Sequence, residues 1–188
     1  MFGTRSSPKF ITGVTLTEAV VVVAIVGVLA GLVAPTFQDA MDRYRANAVY
    51  DELRSTYVLA RSEAVSSRSR VIVQRRVSAN CATVQEWQCG WIVYVDANGD
   101  GVQSNGEPSL RSVDELPART VVNMFKAGNV SQVTFDRWGN ITPLGPFRQN
   151  IVPREDINSN GVRTLCASSG GRFRLVEGDA TNAACTGL

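Results

Sequence analysis

Hydrophobic and polar positions divide this chain into four stretches. Residues 1–13 mix polar, basic and apolar side chains and end on Gly13. No polar side chain occurs at residues 19–34, so residues 14–37 predict a helix long enough to cross a bilayer's hydrocarbon core. Val and Ile dominate there, yet a lone segment in lipid must satisfy its backbone internally, which a helix does. In residues 38–68, Ala46, Val49, Leu53, Tyr57, Ala60 and Ala64 recur every three or four positions, the stripe of an amphipathic helix. Residues 69–188 switch to short apolar or alternating runs, predicting strands at 71–75, 91–95, 109–113, 120–124, 130–135 and 172–176. Asn98-Gly99, Asn105-Gly106, Gly139-Asn140 and Asn160-Gly161 mark turns, and residues 144–160 read as a long loop. The expected fold class is α+β. One long N-terminal helix, half membrane and half amphipathic, packs on an antiparallel sheet that forms a globular head.

Composition places the chain among folded proteins: 44% hydrophobic and 19% charged residues exclude disorder. The formal net charge is +2, but Arg5 and Lys9 precede residue 14. Without them 17 basic residues (19 − 2) face 17 acidic ones, so broad electrostatic binding of nucleic acid is excluded and only a local patch remains. Cys81, Cys89, Cys166 and Cys185 all lie beyond the helical region. An even count after an anchor fits an oxidising compartment and two disulfides. Three pairings are open; Cys81–Cys89 with Cys166–Cys185 is the simplest, since each closes a short loop. A four-cysteine metal site lacks its usual close pairs. The chain has no His, which excludes imidazole ligation and His-based acid–base catalysis.

The basic residues before the apolar run and Asp39 and Asp42 after it place the leader in the cytoplasm and the head outside. Gly27 and Gly31 form a small-xxx-small pair, and Pro35 predicts a kink. Glu18 is the odd residue, because a carboxylate at bilayer depth costs about 2–3 kcal/mol unless paired. A cut after Gly13 would free the Val14 amine one helical turn away, giving that acid a cation. Gly13 followed by Val14-Thr15-Leu16-Thr17-Glu18 and a Pro-terminated apolar helix resembles the class III signal of type IV pilins and type II secretion pseudopilins. The resemblance implies cleavage after Gly13 by a prepilin peptidase, N-methylation of Val14 and insertion in the inner membrane as a single pass with a periplasmic head. It further implies partnership with an inner-membrane assembly platform and other major and minor pilins, with Glu18 as the assembly acid. Val14 and Thr17 depart from the Phe and aliphatic residue usual in that family.

Gly90-Trp91-Ile92-Val93-Tyr94-Val95-Asp96, then Leu110-Arg111 and Phe135-Asp136-Arg137-Trp138-Gly139, narrow the resemblance to the minor pilins FimT and FimU and the pseudopilin GspH. That group implies a low-abundance subunit at a filament tip, with export by type II secretion as the alternative. Asp96, Asn98, Asp100, Val102, Ser104 and Glu107 match the oxygen positions of a calcium loop, although a plain turn also selects Asn, Asp and Gly. Calcium is therefore the one cofactor the sequence raises. Arg172 and Arg174 in Gly171-Arg172-Phe173-Arg174 would share one strand face opposite the aromatic. They are similar to an element of FimT-type subunits that bind DNA for natural transformation, while a solvated structural strand is the bland alternative. Arg54, Arg61 and Arg68, with Glu52 and Glu63, predict a solvated helix face with intrahelical ion pairs, the alternative being a surface for acidic partners. No nucleophile carries a recognisable base, so an enzyme is not expected.

Overall fold

The computed structural model describes residues 13–79, 81, 83–117, 119–143, 145–181, 185 and 186, leaving out the side chains of 32–36. Helix α1 (Leu16–Ser67) runs through Pro35, and the chain divides into two compact units, Met1–Gln38 and Asp39–Leu188.

In the second unit α1 presents its stripe inward: Ala46, Leu53, Tyr57, Ala60 and Ala64 are wholly buried and Val49 nearly so. Each large side chain removed from water this way stabilises the fold by about 1.5–3 kcal/mol. The helix stops where Ser66 and Ser67 hydroxyls donate to the Glu63 carbonyl and Arg68 turns left-handed at φ 53°. Those hydroxyls bond back to a carbonyl of the preceding turn, a local competition that favours ending the helix.

The strands are β1 (Arg70–Arg75), β2 (Trp91–Asp96), β3 (Ser109–Val113), β4 (Thr120–Lys126), β5 (Gln132–Phe135), β6 (Ile141–Thr142), β7 (Phe147–Pro153), β8 (Arg163–Ala167) and β9 (Phe173–Glu177). They form two antiparallel sheets, ordered β3-β2-β1-β5-β6 and β4-β7-β8-β9. The expected α+β fold, a helix packed on antiparallel strands, is what the structure shows, with the strands divided between two sheets. The expected loop over 144–160 is corrected, because β7 lies inside it and is a central strand. One core joins the α1 stripe to Val71, Val73, Trp91, Val93, Val133 and Phe135 of the first sheet and to Met124, Phe147, Ile151 and Leu165 of the second.

Polar ties between helix and sheets fix their mutual position. Tyr57 Oη donates to Gln149 Oε1 at 2.7 Å, Trp91 Nε1 to Thr56 Oγ1 at 3.1 Å, and Arg163 Nε to Asn47 Oδ1 at 2.7 Å. Arg111 pairs with Glu52 at 3.0 Å, and Arg154 pairs with the buried Asp42 at 2.5 Å. The expected intrahelical partner of Glu52 is therefore replaced by a strand residue.

Candidate functional site

Three places carry the chemistry singled out above, the first being the start of α1. Gly13, Val14 and Thr15 precede the helix and are exposed. Thr15 Oγ1 accepts the Glu18 N–H at 3.3 Å, and the Thr15 carbonyl accepts the Ala19 N–H at 3.1 Å. Thr15 is thus the N-cap and Glu18 falls in the first turn, where a carboxylate complements the positive helix end. The Thr-x-x-Glu spacing has a local helical reason beside any role in assembly. From Leu16 to Gly31 every residue is exposed, and nothing lies within 4 Å of a Cβ added to Gly27 or Gly31. Among the described residues no helix is long and apolar enough to cross a membrane. The apolar run continues into residues 32–36, whose side chains lie outside that set, as do residues 1–12 of the expected leader at 1–13.

The second place is the β2–β3 connection. Glu107 turns its carboxylate back on the loop: Oε1 accepts the Ala97 N–H at 2.9 Å and the Asn98 N–H at 3.4 Å, and Oε2 accepts the Ser104 N–H at 2.8 Å. Asp100 Oδ1 accepts the Val102 N–H at 2.8 Å, and Asp96 Oδ1 accepts the Gly99 N–H at 2.8 Å. The six calcium-pattern residues therefore come together, but their carboxylate oxygens are occupied by backbone donors and by the Asn98 amide and Arg70 side chains. No cluster of three or more His, Cys, Asp or Glu that would hold a metal exists among the described residues. Glu107→Ala removes the acceptor of three backbone donors, two of them open to water, and should lower stability by about 0.5–1.5 kcal/mol. Urea unfolding with and without the substitution measures it.

This loop also seals the outer face of the first sheet. Tyr94 is buried, and its hydroxyl donates to the Gly101 carbonyl at 3.1 Å. Burial first, then the Asp96, Glu107 and Asp100 carboxylates, push the phenol up to about 12. The protonated form is the one the fold favours. Its contribution is complete below the unfolded phenol value near 10 and is lost as pH rises from there toward 12. Stability of the native chain should fall across that window, and less steeply in Tyr94→Phe. A denaturation series at pH 9 to 12 checks both.

The third place is the edge strand β9. Phe173 turns inward and stacks on Tyr57 with ring centroids 5.6 Å apart, while Arg172 and Arg174 are exposed. Arg172 sits in the turn before the strand, and Arg174 Nη2 donates to the Thr186 carbonyl at 3.2 Å. That tail is held by the Cys166–Cys185 disulfide, and Cys81 is bonded to Cys89. Arg61 departs from the solvated face expected for it. Its Nη1 donates to the Gly171 carbonyl at 3.1 Å, and a Cβ on Gly139 or Gly171 would fall 3.0 or 3.1 Å from its side chain. Periodicity on the helix gave no sign of this contact; the two glycines flanking turn residues were its only trace in the chain.

A helix exposed at residues 16–31, with its stripe from Ala46 to Ala64 buried against two antiparallel sheets, is the pilin architecture. The chain belongs to the family of the type II transport protein GspH, whose model matches residues 50–184. The fold is similar to the type IV minor pilin FimU of Pseudomonas aeruginosa (strain PAO1), with TM-score 0.56 and 24% identity over 76% of this chain and 96% of that one. It is also similar to the minor pseudopilin EpsH from the type 2 secretion system of Vibrio cholerae, with TM-score 0.51 and 16% identity over 71% of this chain and 97% of that one. The fimbrial protein EcpB of Eikenella corrodens is 46% identical over 44 residues, 23% of this chain. The match spans 28% of the length of that curated relative.

Proposed function

We infer that this chain is a non-enzymatic minor pilin that primes or caps a type IV pilus. Prepilin peptidase cuts after Gly13, and the new N-terminus on Val14 is methylated. Residues 14–37 then hold the subunit in the inner membrane with its head in the periplasm, and the assembly platform passes it to other pilins, with a final place at the filament tip. The observation that carries this reading is the position of Glu18, in the first turn of a helix capped by Thr15, two residues past the bond to be cut. The freed amine lies within a turn of that carboxylate and is a partner for it, in its own chain or a neighbour's.

The local match to a fimbrial protein favours the pilus. The family name favours the second reading, a minor pseudopilin serving protein export. Contact with DNA during natural transformation belongs to the first reading. Arg172 is its better phosphate contact, since Arg174 braces the tail. A deletion strain scored in parallel for twitching, transformation and exoprotein release separates the readings. The pilus reading expects lost twitching with normal export; lost export with normal twitching would overturn it.

A further inference from the structure

Two turns meet on either side of Arg61. Gly139, at φ 80°, and Gly171, at φ 72°, both approach its side chain, and the Ile141 N–H donates to the Ser169 carbonyl at 3.0 Å. The turn bearing Arg137 and Trp138 therefore adjoins the turn bearing Arg172. Against the first turn lies an open cavity of about 450 Å³ whose lining includes Arg68, Arg70, Asp96, Asn98, Arg137 and Trp138. Trp138 is 70% exposed, with the Arg137 guanidinium over one face of its ring, 5.3 Å from the centroid.

The hydrogen-bonding capacity of the walls is one-sided. Asp96 is occupied by the Gly99 N–H at 2.8 Å and by Arg70 at 3.3 Å. Asp136 Oδ1 accepts the Trp138 N–H at 2.9 Å and the Asn140 N–H at 2.8 Å, and Asn98 Oδ1 accepts the Asp100 N–H at 2.9 Å. Asp136 Oδ2 has a weaker partner, Asn140 Nδ2 at 3.4 Å, so most of the carboxylate and amide acceptors are engaged within the protein, whereas Arg68 and Arg137 are exposed. A donor-rich cationic wall beside an open aromatic face suits a ligand that is planar, anionic and rich in acceptors. Sugar hydroxyls need acceptors in return, so an acidic glycan fits less well.

We propose that this cavity is a nucleotide subsite for single-stranded DNA, in which Trp138 stacks a base and Arg68 and Arg137 hold the flanking phosphates. Only an unpaired base can offer its face to the ring, and the strand continues over the Arg61 shelf to Arg172. The proposal extends the DNA contact inferred above, but it stands on residues of its own.

The test uses the full-length chain in detergent, with labelled (dT)12 and a duplex of equal length. Trp87 and Trp91 are buried, so quenching of tryptophan emission by (dT)12 reports Trp138. Trp138→Ala should weaken (dT)12 binding roughly 5- to 150-fold, with Trp138→Phe retaining most of it. Arg68→Ala with Arg137→Ala should reduce the salt slope by about 1.4, the share of two phosphates on a single strand. Circular dichroism confirms that each variant is folded. Unchanged (dT)12 affinity in Trp138→Ala overturns the subsite, whatever Arg172→Ala does. Loss in Trp138→Ala with no effect of Arg172→Ala on either DNA keeps the subsite and removes Arg172 from the DNA contact. Quenching by an acidic oligosaccharide but not by (dT)12 overturns the proposal in favour of a glycan site.

Discussion

Replacing Tyr57 with Ala is expected to unfold the head near physiological temperature. Its ring is wholly buried and meets Phe147 and Phe173 at centroid distances of 5.3 and 5.6 Å, and Phe135 at 6.3 Å. Emptying such a site costs about 3–5 kcal/mol. The hydroxyl is also the partner of buried Gln149 Oε1, and Gln149 Nε2 has no partner among the described residues. Removing the hydroxyl adds about 1–3 kcal/mol for the stranded amide oxygen. The sum approaches the whole stability of an ordinary domain, about 5–15 kcal/mol. Tyr57→Phe isolates the second part, because the ring contacts persist. Thermal melts of the three proteins should rank native, then Phe, then Ala, with the larger gap below Phe. Equal melts for Phe and Ala would mean that the aromatic cluster contributes little.

The second large effect concerns Glu18, which the proposed assembly pairs with a neighbouring N-terminus inside the apolar layer. A carboxylate there costs about 2–3 kcal/mol when unpaired, and pairing recovers it. Glu18→Ala removes the cost and the pairing together. What is lost is the selective advantage of the docked position over any other axial register. A pairing of that size corresponds to roughly a 30- to 150-fold fall in incorporation. Immunoblots of sheared filaments measure the fall, while membrane fractions show whether the subunit is still made. Since Glu18 also lies in the capped first turn, Glu18→Gln is the control: it keeps the side-chain length and loses the charge. Native incorporation of either variant would contradict the role assigned to the acid.

The helical stripe was legible because its partners are spaced by the helix itself: Ala46 to Ala64 repeat at the helical period, and every one is buried. Strands β1 to β5 and β9 were legible for a similar reason, through short apolar or alternating runs between turn residues. Strand β7 was hidden by its own polarity, Arg148-Gln149-Asn150, and by Pro146 and Pro153 at its ends. Distant residues meet part of this polarity, although Gln149 Nε2 has no partner among the described residues. Gln149 meets Tyr57, and Asn150 donates to the Ala180 carbonyl at 2.7 Å while accepting from Thr164 at 3.1 Å. No local window contains such pairs. Arg163 conceals β8 in the same way, buried as a donor to Asn47 on the helix. At the candidate sites the residue types were legible and their engagement was not. Glu107 has the place of a metal ligand yet serves backbone N–H groups, and Arg61 lies under two glycines far away in sequence.

Intact-mass analysis of the chain isolated from its native envelope tests the filament account most directly. The account predicts a polypeptide beginning at Val14 and bearing one added methyl group on its terminal nitrogen. A mature chain that keeps residues 1–13 would contradict it, since Glu18 would then have no freed amine to meet.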